Sequence, residues 1–209
     1  MLKENLLLDS ARPFSYAGNN YVGCPEHGSE GVPLSWYALR VSYSRELKVQ
    51  DALNKLGVRT FVPMMWKNFP DRQGKEIHKK LVPAIGNLCF AYSTKSELEE
   101  FIRGYGDASP VHFYWDRTSD RPMVVSDKAM NDFITVSATL DEDLIYITEI
   151  TGKLREGQKV KVKDGPFKGI EGKIVRIRKS RRVLVELPGM LAVATTYVTP
   201  DKIEITDQI

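Results

Sequence analysis

Three histidines and two cysteines are a thin stock of imidazole and thiol groups for metal binding or near-neutral acid–base work in this 209-residue chain. Cys24 and His27, in the run CPEH, have a metal-ligand spacing, but no second pair completes a ligand set, so the run reads as an exposed loop. His27, His78 and His112 stand in no nucleophile-elbow or metal-pair context, and the serines fall in turns and caps. Gly165 to Lys173 has the outline of a phosphate loop, yet Lys173 is followed by Ile174 instead of Ser or Thr and leads into a strand instead of a helix. No catalytic residue, metal or cofactor is assigned, and the chain reads as something other than an enzyme.

The chemistry present in quantity is cationic. Residues 1–152 hold 17 Lys+Arg against 20 Asp+Glu, whereas residues 153–209 hold 13 against 7, so a basic segment follows a mildly acidic one. That asymmetry implies two units with different electrostatic partners, the basic one facing RNA or DNA phosphates. Lys161, Lys163, Lys168, Lys173, Arg176, Arg178, Lys179, Arg181 and Arg182 concentrate there, with attraction for phosphate and little base-reading chemistry. Phe167, at a turn beside them, is placed to stack on a base or a partner side chain.

The elements that position these residues follow from periodicity. SWYALRVSY alternates Trp36, Ala38 and Arg40 with Tyr37, Leu39, Val41 and Tyr43, the pattern of a half-buried strand. A helix capped by Ser44 and ended by Gly57 follows, carrying Leu47, Val49, Leu53 and Leu56. VRTFVPMMW reads as a second strand bent or edged by Pro63, PDRQGK as a hairpin tip, and EIHKKLVP and NLCFAYS as the next strands. TKSELEEFIRGY is a helix capped by Ser93 or Thr94, HFYWD a short strand, and PMVVSDKAMNDFITVSAT an extended piece and then a helix capped by Ser126 or Asp127. DEDLIYITEITGK reads as a linker, after which KVKV, GKIVRIR, RRVLVEL, MLAVATTYV and DKIEI form five short strands of a small closed barrel. The fold class is therefore α+β: an antiparallel sheet with flanking helices, then a small all-β barrel. Residues 1–33 form a flexible leader, 34–140 the first domain, 141–152 the linker and 153–209 the barrel. At 42% hydrophobic and 27% charged the composition is globular, and no run approaches the roughly 18 apolar residues of a membrane span, so the expected location is cytoplasmic.

VKVKDGPFKGIEGKIVRIRKSRRVLVEL resembles a KOW motif, with Gly165, Phe167, Gly169 and Gly172 at its turn, where tight turns demand positive φ or close backbone approach. WYALRV, RELKVQDALNKLGV, TFVPMMW and KKLVPAIGNLCFAY resemble, in order, the N-terminal (NGN) domain of the NusG family. The fuller resemblance is to the UpxY-type specialised paralogues that act on polysaccharide operons, through RVSYSRELKVQDAL, LVPAIGNL, DRTSDRPMVVSDKAMNDFI and LPGMLAVATTYVTPDKIE. General NusG proteins usually carry a phenylalanine-proline-glycine-tyrosine run where this chain has Val82 to Asn87.

The resemblance implies a transcription elongation and antitermination factor that binds RNA polymerase through an apolar patch and suppresses pausing and termination on capsular or exopolysaccharide operons. The alternatives are a general NusG factor and a ribosome-associated KOW RNA-binding protein. By position, Phe61, Val62, Pro63, Leu81, Val82, Pro83 and Ile85 would carry the polymerase patch, while Tyr37 and Phe90 belong to the core. Arg40, Arg45 and Lys48 would lie near upstream or non-template DNA, and Lys168, Arg176, Arg178, Lys179, Arg181 and Arg182 would hold nascent RNA or other nucleic acid. In this family the barrel also binds proteins, among them a ribosomal protein or a termination factor.

Overall fold

A computed structural model describes residues 32–71, 77–116, 118–149 and 157–206. All of the expected leader but Val32 and Pro33, the CPEH run, and the hairpin tip beyond Asp71 lie outside the described residues.

Strand β1 (Ser35–Val41) is the centre of the first unit. It pairs antiparallel with β5 (Leu88–Ser93) in the register Trp36↔Tyr92 to Arg40↔Leu88, and on its other side with β6 (Val111–Phe113) and β9 (Val124–Val125). The short β2 (Arg59–Phe61) pairs with the far edge of β5, giving the order β2-β5-β1-β6. Because side chains alternate along a strand, Leu39 and Val41 point to one face and Trp36 and Ala38 to the other. Leu39 and Val41 pack with Val49 and Leu53 of α1 (Glu46–Lys55) and Leu98 of α2 (Lys95–Arg103). Trp36 and Ala38 pack in a cluster with Met130, Phe133 and Val136 of α3 (Asp127–Ser137). A strand expected to be half-buried is thus covered on both faces, because α3 returns across the side that the alternation left open.

The helix ends follow local chemistry with one exception. Thr94 accepts from the Glu97 backbone N–H at 3.2 Å while Glu97 reaches back to the Thr94 N–H, a reciprocal cap, and Ser126 accepts from Ala129 at 3.4 Å. Such caps contribute about 1 kcal/mol each. Ser44 does not cap α1: with Tyr43 it takes a positive φ, 51° and 63°, and the pair forms the turn instead. The helix start is tied down by the buried Glu46 carboxylate, which accepts from the Asn87 backbone N–H at 2.6 Å. Gly57, at φ +79°, closes the other end as expected.

The segment VRTFVPMMW is two strands. Pro63, with no N–H to donate, stands at the break between β2 and β3 (Met64–Pro70). Strand β3 leaves the main sheet and, among the described residues, pairs only with β4 (Ile77–Pro83), from Met64↔Pro83 to Pro70↔Ile77, as a two-stranded ribbon. A smaller hairpin joins β7 (Trp115–Asp116) to β8 (Arg121–Pro122).

Among the described residues the regular elements of the second unit are strands and one short turn of 3-10 helix. Strands β10 (Ile145–Ile147), β11 (Lys159–Val162), β12 (Glu171–Ile177), β13 (Ser180–Leu187), β14 (Leu191–Ala194) and β15 (Ile203–Ile205) form one antiparallel sheet in the order β10-β14-β13-β12-β11-β15. Its sixth strand, β10, comes from residues read as linker, and with β15 it forms the two ends of that order. Val160, Val162, Val183, Val185, Leu187 and Val193 belong to the same apolar cluster as Trp36, Phe90 and Phe133, so the two units share a core with α3 between them. Lys128 of α3 reinforces the seam, bonding Asp132 at 3.1 Å and Glu171 of β12 at 3.2 Å. Burial disfavours its charge, but these two carboxylates outweigh that and raise its pKa. Among the described residues no helix is long and apolar enough to cross a membrane.

Candidate functional site

The residues expected to face a polymerase come together at the root of the β3–β4 ribbon, where Ala84 donates to the Pro63 carbonyl at 2.8 Å. They do not share one surface. Phe61 is 4% exposed and edge-on to Phe133 at 6.1 Å, and Val62 lies in the core under α1 and α2. Pro63 is buried, while Leu81, Val82, Pro83 and Ile85 are half-buried. Phe61 and Val62 are therefore framework here, and the accessible apolar strip is the second segment. Two residues that the sequence reading passed over flank it on opposite faces: Trp66, opposite Leu81, is 39% exposed on the face of Leu81 and Pro83, and Met65, opposite Val82, is 36% exposed on the other. Their signal was available, since an alternating strand that leaves its sheet at a proline must expose one of its faces or both.

Arg40, Arg45 and Lys48 are all exposed. Arg40 stands at the end of β1 opposite His112 and Leu88, beside Tyr114, whose phenol pKa burial raises against the opposing charge of Arg40. Arg45 precedes α1, with its guanidinium 5.5 Å from the Tyr43 ring centroid, and only Lys48 is within the helix.

The basic residues of the second unit divide sharply. Arg176 lies opposite Arg181, and the chain reverses through Arg178 and Lys179, both at positive φ, 49° and 67°. Such a turn favours Asn-Gly, so two long cations there are held against local preference, at a cost of about 1–2 kcal/mol per residue. Among the described residues none of these four cations has a carboxylate within ion-pair distance, which leaves a concentrated positive tip; Lys168 is exposed on the preceding turn. Arg182 belongs elsewhere. It is 8% exposed, and its Nη1 donates to the carbonyls of Asp143 at 2.5 Å and Thr195 at 2.8 Å, fastening the α3–β10 connection to the sheet. Phe167, also buried, fills the shared core and is out of reach of a base. Changing Arg176, Arg178, Lys179 and Arg181 to glutamine is expected to flatten the salt dependence of single-stranded RNA binding by up to about 2.8 in log–log slope, at about 0.7 per phosphate contact. Fluorescence anisotropy across a salt series checks this, with no change in the thermal midpoint.

The three turn glycines have two different reasons. Gly165 and Gly169 take φ of +90° and +88°, which a side chain would strain. Gly172 lies in β12, where an added Cβ would sit 2.4 Å from the Leu184 carbonyl oxygen.

Cys89 is buried in the α1–α2 core, and burial, with the nearby Glu46 charge, pushes its thiol up to about 12, so it stays protonated. No three His, Cys, Asp or Glu side chains gather as metal ligands among the described residues.

A family model described as transcription termination factor nusG matches residues 34–134, and a KOW motif matches residues 156–186. A solved structure titled "Domain interaction in Thermotoga maritima NusG" is similar over 83% of this chain and 98% of its own, at 18% identity and a TM-score of 0.44. No curated protein matches the chain.

Proposed function

Because the chain belongs to the NusG family, with an NGN domain followed by a KOW domain, we propose that it is an operon-specific elongation and antitermination factor. In this reading it binds RNA polymerase, favours the elongating state over the paused one, and serves capsular or exopolysaccharide operons. A preference of about 1.4 kcal/mol between the two states already changes their ratio tenfold. The observation that carries the polymerase contact is the strip of Trp66, Leu81 and Pro83 along one face of the ribbon, followed by half-buried Ile85. A partly exposed aromatic among aliphatic residues is the composition of an interface anchor. The operon assignment rests on the resemblance of LVPAIGNL and DRTSDRPMVVSDKAMNDFI to the specialised paralogues.

Transcription in vitro through a terminator placed after a polysaccharide-operon leader tests both parts. The wild-type chain is expected to raise readthrough on that leader and not on an unrelated one. Trp66→Ser with Leu81→Ser is expected to lower polymerase affinity at least about tenfold while leaving the circular dichroism unchanged, since partly exposed residues open no core cavity. Equal readthrough on both leaders would assign a general factor, and a folded double variant with normal affinity would move the contact off the ribbon.

A further inference from the structure

Strand β6 closes the order of the first sheet at the end opposite β2, from which the ribbon departs. Its bonding parity is set by the Tyr114 N–H, which donates to the Ala38 carbonyl at 2.9 Å, and by the Ser42 N–H, which donates to the Pro110 carbonyl at 2.8 Å. In an antiparallel pair, bonded residues alternate with residues whose backbone groups face away. His112 is therefore turned towards Arg40, while Val111 and Phe113 direct their N–H and C=O outward. Both groups of Val111 are occupied, since the Ser109 hydroxyl accepts from its N–H at 3.2 Å and donates to its carbonyl at 3.0 Å. Among the described residues those of Phe113 have no such occupant, and just beyond them the chain turns into the β7–β8 hairpin. Here the edge borders a cleft of about 460 Å³ lined by Glu99, Ile102 and Arg103 of α2 and by His112, Phe113 and Trp115. The Phe113 ring is held edge-on by Tyr37 at 5.7 Å, and Trp115 is 53% exposed. Glu99 is paired with Lys95 at 3.3 Å, whereas among the described residues Arg103 has no carboxylate within ion-pair distance.

We propose that this cleft captures the C-terminal end of a partner protein, with the free carboxylate on Arg103, the backbone near that end bonded to Phe113, and an apolar last side chain between Ile102 and Trp115. An extended peptide added to a sheet edge gains affinity from main-chain bonds and specificity from the pocket beside them. A segment running on through the site would need the next outward-facing residue of β6, and Ser109 already occupies Val111. In the other direction the β7–β8 hairpin follows. One open residue between two blocked ones suits a chain end, and the cleft has the volume of a small-ligand site. A guanidinium takes a carboxylate through two parallel bonds, which a side-chain amide or hydroxyl cannot match. Glu99, one turn before Arg103 on α2, disfavours a second carboxylate, so the last side chain is apolar. The site lies across the sheet from the ribbon, and it is tested without polymerase.

The test titrates the full isotope-labelled chain with acetylated tetrapeptides that end in valine, leucine, isoleucine or phenylalanine with a free carboxylate, followed by nuclear magnetic resonance. At least one is expected to shift the Phe113 backbone amide and the Trp115 indole N–H together. Its carboxamide is expected to bind at least about tenfold more weakly, and Arg103→Gln to cost the free acid a similar factor. Trp115→Ala is expected to weaken the free acid as well, through the lost apolar wall. Arg103 and Trp115 are both exposed, so the variants are expected to keep the wild-type thermal midpoint, which assigns their losses to binding. Two further probes separate the sources of a carboxylate: the acetylated last amino acid alone, and a carboxamide peptide with aspartate beside the same apolar residue. The proposal is overturned if no tetrapeptide moves Phe113, if either carboxamide binds as well as the free acid, if Arg103→Gln leaves the affinity unchanged, or if the single amino acid binds as tightly as the peptide.

Discussion

Replacing Phe133 with alanine is expected to remove about 3–5 kcal/mol of stability, the largest loss for any single truncation at the junction of the two units. The ring is fully buried on α3 and meets three others edge-on: Phe90 at 6.0 Å, Phe61 at 6.1 Å and Tyr146 at 6.3 Å. Phe61 and Phe90 belong to the first sheet, whereas Tyr146 sits on β10, the edge strand of the second. One side chain therefore spans both units, and its removal loses buried area, three aromatic contacts and the filling of a cavity that neither sheet can close alone. Native domains have only about 5–15 kcal/mol to lose, so the variant stands near the edge of folding. Urea unfolding followed by two probes checks the argument. All three tryptophans, Trp36, Trp66 and Trp115, lie in the first unit, so their fluorescence follows that unit and, through Trp36, its side of the shared core, while far-ultraviolet circular dichroism reports both units. The wild-type transitions are expected to coincide and those of Phe133→Ala to separate. A loss below about 1 kcal/mol with coincident transitions would mean that the shared core is held elsewhere.

What the sequence made legible was whatever is encoded over a few residues. The alternation of Trp36, Ala38, Leu39 and Val41 assigned two faces of β1 correctly, and Ser93 or Thr94 marked the start of α2, where Thr94 is the cap, because strand parity and capping are local. The second cover on β1 was not legible, since it depends on α3 arriving from about ninety residues further along. DEDLIYI looked like a linker because its acids dominate a short run, yet Ile145 and Ile147 pack on the second sheet once β14 is beside them. Charge was the least reliable guide to a site. Arg181 and Arg182 are the same residue type side by side, but successive strand positions point oppositely, and only Arg182 is buried and bonded to backbone carbonyls. The same rule, applied to MMWKNFP and IHKKLVP, separates Trp66 and Leu81 from Lys67 and Lys80 and makes two surfaces out of one ribbon.

Gly172→Ala is expected to destabilise the chain by about 3 kcal/mol, at the top of the usual range for overpacking, and by more than Gly169→Ala, for which about 1–2 kcal/mol is expected. The two glycines stand three residues apart and serve opposite needs. Gly169 has φ +88° with nothing within 4 Å of an added Cβ, so a methyl group there meets space and pays only in backbone strain. Gly172 has an ordinary strand conformation, but its Cβ would meet the Leu184 carbonyl oxygen at 2.4 Å and Val183 Cγ1 at 2.8 Å. A side-chain rotation cannot relieve a clash with a backbone oxygen, so β12 or β13 must move. Strand β12 cannot swing away freely, because Gly172 is also paired with Val160 of β11, and Lys173 and Ile174 are registered against Leu184 and Val183 of β13. Displacement would open the pairing that leads to the cationic tip at Arg178 and Lys179, so the alanine variant should also lose RNA affinity although no charge has changed. Urea midpoints for both variants, with RNA binding at fixed salt, decide the point: equal losses would mean that backbone conformation, and not close approach, requires glycine at position 172.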